Sequence, residues 1–135
     1  MLAERIASAS GLADHAGLAE RARSALRSTP VQRAADRKHW LELPMVTPHN
    51  GMTLEGIIDL MYREDDETLV IADFKTDISV TQETLAAYWR QLSTYAGMVE
   101  GITGQKVSEL VLIFCRTGDA EIRRQARHTK AEAES

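Results

Sequence analysis

Asp73-Phe74-Lys75 closes the apolar run Leu69 to Ala72 with two opposite charges. Residues two apart on a strand share a face, so Asp73 and Lys75 point the same way with Leu69 and Ile71 behind them, while Val70, Ala72 and Phe74 face the other side. Charges in such a setting are costly to bury without partners. The plainer alternative is a strand-end ion pair drifting into solvent. Upstream, in Gly56-Ile57-Ile58-Asp59, Asp59 is the only charge between Ile57 and Met61. A hairpin centred on Asp66 sets Asp59 directly opposite Asp73, with Cβ atoms roughly 5 Å apart. Two carboxylates that close repel, and a divalent cation is the natural relief. A centre half a residue earlier puts Ala72 opposite Asp59 instead and leaves two independent aspartates.

Hard oxygen ligands select Mg²⁺ or Mn²⁺ over soft metals. Such an ion polarises a phosphoryl oxygen and acidifies a water, and Lys75 beside it could orient that water or neutralise charge in the transition state. Two carboxylates and a lysine therefore suit phosphodiester hydrolysis better than acyl transfer. There is no Gly-rich phosphate loop, which argues against ATP hydrolysis by this segment. Gln91 and Tyr95 lie four apart and so share a helix face. They read either as a surface glutamine and a buried tyrosine, or as a pair presented to phosphates or to Lys75.

The elements that must position these residues follow from periodicity. Leu12, Ala16, Ala19, Ala22, Arg23 and Leu26 predict a helix over about 11–27, stopped by Ser28-Thr29-Pro30, with a second short helix over 31–37. Trp40, Leu41, Leu43, Met45 and Val46 predict a strand, with Pro44 marking an edge or a bend. Further strands are expected over 52–62 and 68–75, joined by the charged loop Glu64-Asp65-Asp66-Glu67, read as a solvated turn. Leu85, Tyr88, Trp89, Leu92, Tyr95, Ala96 and Val99 form the stripe of a helix over about 81–100. Ser79 with Gln82 resembles its capping box, and Gly101 and Gly104 end it. Val107 to Cys115 reads as a buried strand, with an edge strand over 120–124. The order α-β-β-β-α-β gives an α/β fold on a central mixed sheet flanked by helices. We divide the single domain into a helical part (1–38), a core (39–124) and a weakly ordered tail (125–135).

The 135 residues are 44% hydrophobic and 27% charged, the balance of one globular domain rather than a disordered or membrane-spanning chain. The lone Cys115 excludes a disulfide framework and a four-cysteine iron–sulfur cluster, and makes an intracellular, cytoplasmic setting the default. Sixteen basic against 20 acidic residues give a net charge of −4, without the basic footprint of a free-standing DNA binder. That still allows an enzyme whose metal carries the local positive charge. Arg21, Arg23 and Arg27 read as a solvated helix face.

The ordered set GIIDL, IADFKTD and YWRQLSTYA resembles the RecB-like nuclease domain of the PD-(D/E)XK superfamily, which closes RecB/AddA-type helicase–nucleases. WLELP is similar to the strand that precedes the family's aspartate, and the resemblance spans about residues 15–122. It implies a restriction-endonuclease-like core and a Mg²⁺-dependent deoxyribonuclease of exonuclease type, with Mn²⁺ as a substitute. It implies a place in double-strand break repair, with single-stranded DNA as substrate and no membrane. The implied partners are the helicase domains of a longer parent chain and a second subunit. Carried over, Asp59 and Asp73 are metal ligands with the Phe74 carbonyl as a third. Lys75 is the catalytic lysine, Gln91 and Tyr95 help to place the nucleic acid, and Glu42 is an accessory acid. One departure stands out: the family's upstream metal-binding histidine has no clear match among His15, His39, His49 and His128. The expectation is that the chain begins inside a longer protein. The competing reading is a catalytically incomplete nuclease fold kept as a docking or DNA-guiding module.

Overall fold

The computed structural model describes residues 15–127. Two helices, α1 (His15–Arg27) and α2 (Thr29–Ala35), precede three strands, β1 (His39–His49), β2 (Met52–Arg63) and β3 (Leu69–Lys75). Helix α3 (Gln82–Thr103) then crosses to β4 (Val107–Phe114), and β5 (Glu121–Ala126) follows. One sheet holds all five strands in the order β1-β2-β3-β4-β5. β3 and β4, joined by the helix, are parallel, and every other neighbour is antiparallel. The expected meander and crossover helix are present, and β1, the Pro44 strand, lies at an edge.

Both faces of the central strands are covered, which is why they are apolar throughout rather than alternating. Leu69 and Ile71 of β3 and Leu110, Leu112 and Phe114 of β4 pack under Leu92, Ala96 and Val99 of α3. Val70, Ala72, Val111, Ile113 and Cys115 face the opposite layer, with Ala25 of α1 and Ala34 of α2. Trp40 and Trp89 pack against the α3-side core, as expected of core aromatics. Cys115 is buried, and burial pushes its thiol up to about 11, so it is an inert core group. No helix among the described residues is long and apolar enough to cross a membrane.

Three local expectations are corrected and a fourth is extended. α3 is capped by Thr81, whose side-chain oxygen accepts the Thr84 N–H at 3.1 Å, rather than by Ser79. The helix runs through Gly101 to Thr103 and ends at Gly104, whose φ of 72° suits a residue without Cβ. β5 continues through Ala126, past the expected start of the tail, because Arg123, Arg124 and Gln125 pair in register with β4. The 64–67 loop is more than a solvated turn: Glu64 takes two hydrogen bonds of 2.7 Å from Arg33, and Asp65 is paired with Arg37 at 3.2 Å. The Arg33 guanidinium holds the Glu64 carboxyl below its usual range. The loop thereby ties the β2–β3 hairpin to α2.

Candidate active site

The β2–β3 register is Leu60↔Ala72, Met61↔Ile71, Tyr62↔Val70 and Arg63↔Leu69. Five residues close the hairpin, the odd number that the opposition of Asp59 and Asp73 required. The turn is fixed by Glu64 N–H donating to the Thr68 carbonyl (2.8 Å) and by Thr68 donating from both its amide and its hydroxyl to Asp66. Asp59 and Asp73 occupy the next opposed positions, where the regular ladder gives way. There the carboxylate itself completes the pairing: Asp59 Oδ2 accepts the Phe74 N–H at 2.9 Å.

The break has a visible origin. Ile58 and Met61, three apart, both join the α3-side core, so strict alternation fails between them, at Asp59. Across β1 the same position belongs to Glu42, which lies between the pairs Leu41↔Leu60 and Leu43↔Ile58 and has φ +50°. Irregularities of this kind re-aim a side chain at the cost of a ladder bond. Here the result is a carboxylate turned in the sheet plane toward β3. On β3 the Lys75 carbonyl accepts from Cys115 on the β4 side (2.8 Å). Strand alternation therefore turns the Phe74 amide and carbonyl both toward β2 and Asp59.

Asp59 is 2% exposed and Asp73 7%. Asp73 Oδ2 meets Lys75 Nζ at 2.7 Å, the ion pair the strand spacing suggested, and it lies inside the protein rather than in solvent. Lys75 Nζ also stands 4.0 Å from the centroid of the Tyr88 ring. The Tyr88 hydroxyl donates to both oxygens of Asp77, at 2.8 and 3.0 Å. Burial, aided by Asp77, pushes Tyr88 up to about 12, so it stays a donor at any physiological pH. The Arg116 guanidinium holds the Asp77 main-chain carbonyl.

Gln91 Nε2 lies 3.3 Å from the Tyr95 hydroxyl, so the pair meets on one helix face as expected. The Tyr95 ring rests on β2 at Gly56, where a Cβ would stand 2.4 Å from Tyr95 Cε1. The residue that α3 presents to Lys75 is Tyr88. Sequence reasoning missed Tyr88, Asp77, Arg116 and Gly56. Tyr88 is hidden within the apolar stripe, although Tyr88, Gln91 and Tyr95 at intervals of three and four are a signal that the three act along one ridge. Replacing Gly56 with alanine is expected to displace the Tyr95 ring and break its contact with Gln91. Urea denaturation should show a loss of about 1–3 kcal/mol, the usual cost of forcing extra volume into a packed contact.

The carboxylates of Asp59 and Asp73 and the Phe74 carbonyl are hard oxygen donors, the type that divalent cations such as Mg²⁺ and Mn²⁺ take. Among the described residues no group of three or more His, Cys, Asp or Glu could hold a metal ion. His39 sits exposed at the start of β1 with Nδ1 2.9 Å from the Arg37 carbonyl, and His128 lies outside the described residues.

The chain has relatives among known proteins. The whole chain, residues 1–135, matches the PD-(D/E)XK nuclease superfamily. It is 32% identical over 103 residues to an ATP-dependent helicase/nuclease subunit of Clostridium acetobutylicum, covering 73% of this chain and 8% of the relative. It is 42% identical over 64 residues to the corresponding subunit of Carboxydothermus hydrogenoformans, covering 45% of this chain and 5% of the relative. Among solved structures, that of SSO0001 shares the fold, with a TM-score of 0.54 at 15% identity, over 97% of this chain and 60% of the other. A candidate exonuclease from Eubacterium rectale does so with a TM-score of 0.53 at 15% identity, over 87% and 46%. The chain belongs to the PD-(D/E)XK nuclease superfamily, and it spans less than a tenth of the length of these helicase/nuclease relatives.

Proposed function

We propose that this chain is a Mg²⁺-dependent deoxyribonuclease module of a helicase–nuclease, of exonuclease type, acting on single-stranded DNA in the cytoplasm during double-strand break repair. Its partners in this reading are a helicase body and a second subunit. The observation that carries the reading is the buried Asp73–Lys75 pair beside an Asp59 carboxylate turned onto the Phe74 amide. Two acids and a lysine kept out of water at a strand end serve no packing purpose, and such groups are costly to bury unless they are used. The relatedness to helicase/nuclease subunits supports the setting.

Asp59, Asp73 and the Phe74 carbonyl would hold the cation, which when bound supplies Lewis-acid polarisation of the scissile phosphate and a more acidic water. Asp59 is oriented for this by its bond to the Phe74 amide. Lys75, confined between Asp73 and the Tyr88 ring, keeps an ammonium where negative charge builds on the phosphate, and needs no reorganisation to do so. Gln91 and Tyr95 form the adjoining polar ridge along which the strand is led toward the acids. Glu42, opposite Asp59 in register, adds an acidic group at the rim. The second reading is a catalytically incomplete nuclease fold kept as a docking or DNA-guiding module, and it is motivated by the lack of a clear match in the sequence to the family's upstream metal-binding histidine. One assay separates the two. With end-labelled single-stranded DNA and Mg²⁺, the nuclease reading expects shortening of the strand that stops on chelation by EDTA. An intact strand under saturating Mg²⁺ supports the docking module.

A further inference from the structure

We infer that Tyr88 is the positioning residue of Lys75, and that Asp77 fixes Tyr88 in that role. The inference rests on the nuclease reading only for its catalytic consequence. Its structural content stands on the contacts alone.

A lysine side chain has four rotatable bonds, and its ammonium is a mobile point charge unless something confines it. The Lys75 side chain is only 17% exposed, and two groups confine it. Asp73 Oδ2 draws Nζ from one side at 2.7 Å. The face of Tyr88 supports it from another, with the centroid 4.0 Å away, well inside the range of an ammonium–ring attraction. If Asp73 also serves a cation, its carboxylate cannot alone determine where Nζ lies, and the ring becomes the constraint that remains. The ring is itself held. Its hydroxyl donates to both oxygens of Asp77, the Asp77 carbonyl accepts from Arg116, and the Arg116 amide donates to the buried Ser24 hydroxyl of α1 at 3.1 Å. A chain of contacts thus runs from the far layer of the fold, around the end of β4, to the face beneath Lys75. A purely packing tyrosine would not need a bidentate acceptor two residues past the lysine it faces.

The test uses the full chain with Tyr88→Leu, Tyr88→Phe and Asp77→Asn. Two-dimensional NMR of the lysine side chains reads position without catalysis. In the wild type the Lys75 Hε resonances should lie upfield of the other lysines, because they sit over a ring. Tyr88→Leu should return them to the common position, while Tyr88→Phe and Asp77→Asn, which keep the ring but release or weaken its hold on residue 77, should both leave a reduced upfield shift; an undiminished shift in both would overturn the role given to Asp77. In the cleavage assay Tyr88→Leu should lower kcat by about 30-fold or more with KM within about twofold, the pattern of a misplaced group acting only in the transition state. Tyr88→Phe should retain cleavage to within about threefold, because the ring face survives. Unshifted Lys75 resonances in the wild type, or a Phe variant as impaired as the Leu variant, would overturn the inference. If the wild type shows the shift but cuts no DNA, the nuclease reading fails and the positioning contact stands.

Discussion

Lys75→Ala is expected to abolish most cleavage while leaving cation binding intact. Removing one preorganised group that meets developing charge costs about 10²–10³ in kcat, and KM should move by less than about threefold if the ammonium acts only in the transition state. The structure adds a sharper expectation. Lys75 Nζ occupies Asp73 Oδ2 at 2.7 Å, so the alanine variant frees that oxygen, and Mn²⁺ should bind at least as tightly as in the wild type. A lysine that merely stabilised the fold would lose both functions together. Lys75→Arg should not restore activity. The planar fork of a guanidinium is larger than the compact ammonium now held between Asp73 and the Tyr88 ring, and it places its charge elsewhere. Single-turnover cleavage with parallel Mn²⁺ titrations checks both halves.

The second large effect is expected at Asp59, where stability and activity should separate. Asn at this position still offers an oxygen to the Phe74 N–H, so the bond that completes the β2–β3 pairing survives. What it removes is a buried negative charge set opposite Asp73, a charge that burial and a like neighbour both disfavour. Unfolding free energy should therefore change by less than about 1 kcal/mol, or rise, as is common where a site is kept for function rather than stability. Cleavage should fall at least about a hundredfold, because a neutral amide is a poor ligand for a hard divalent ion. Urea denaturation beside the cleavage assay makes the comparison. A variant that unfolds readily yet still cleaves would reverse the roles assigned to Asp59.

Most of the fold was legible because its signals were local. Continuous apolar runs predict strands buried on both faces, and β3 and β4 are buried so. Pro44 predicts an edge or a bend, and β1 is an edge. The hairpin register was legible as a conditional statement: an odd loop brings Asp59 opposite Asp73, and the Asp66–Thr68 turn supplies that loop. What escaped depends on contacts between distant segments. The 64–67 loop is solvated as read, but its ties to α2 through Glu64 and Asp65 escaped, because nothing in their neighbourhood announces Arg33 and Arg37. The lateral turn of Asp59 follows from an irregularity shared with Glu42 on another strand. Tyr88 was hidden by its own type, since an aromatic at helical spacing is usually core. Its polar end identifies it only once Asp77 and Lys75 are known to lie beneath the same turn of α3. Gly56 stands within GIIDL, but its purpose, space for Tyr95, is a property of packing alone.

The central claim is that Asp59, Asp73 and the Phe74 carbonyl converge on one hard cation. Calorimetric titration of Mn²⁺ into the wild-type chain and into Asp73→Ala tests it most directly. The account predicts a single saturable site in the wild type and no measurable heat in the variant. A wild type without heat, or a variant whose isotherm matches the wild type, would contradict it.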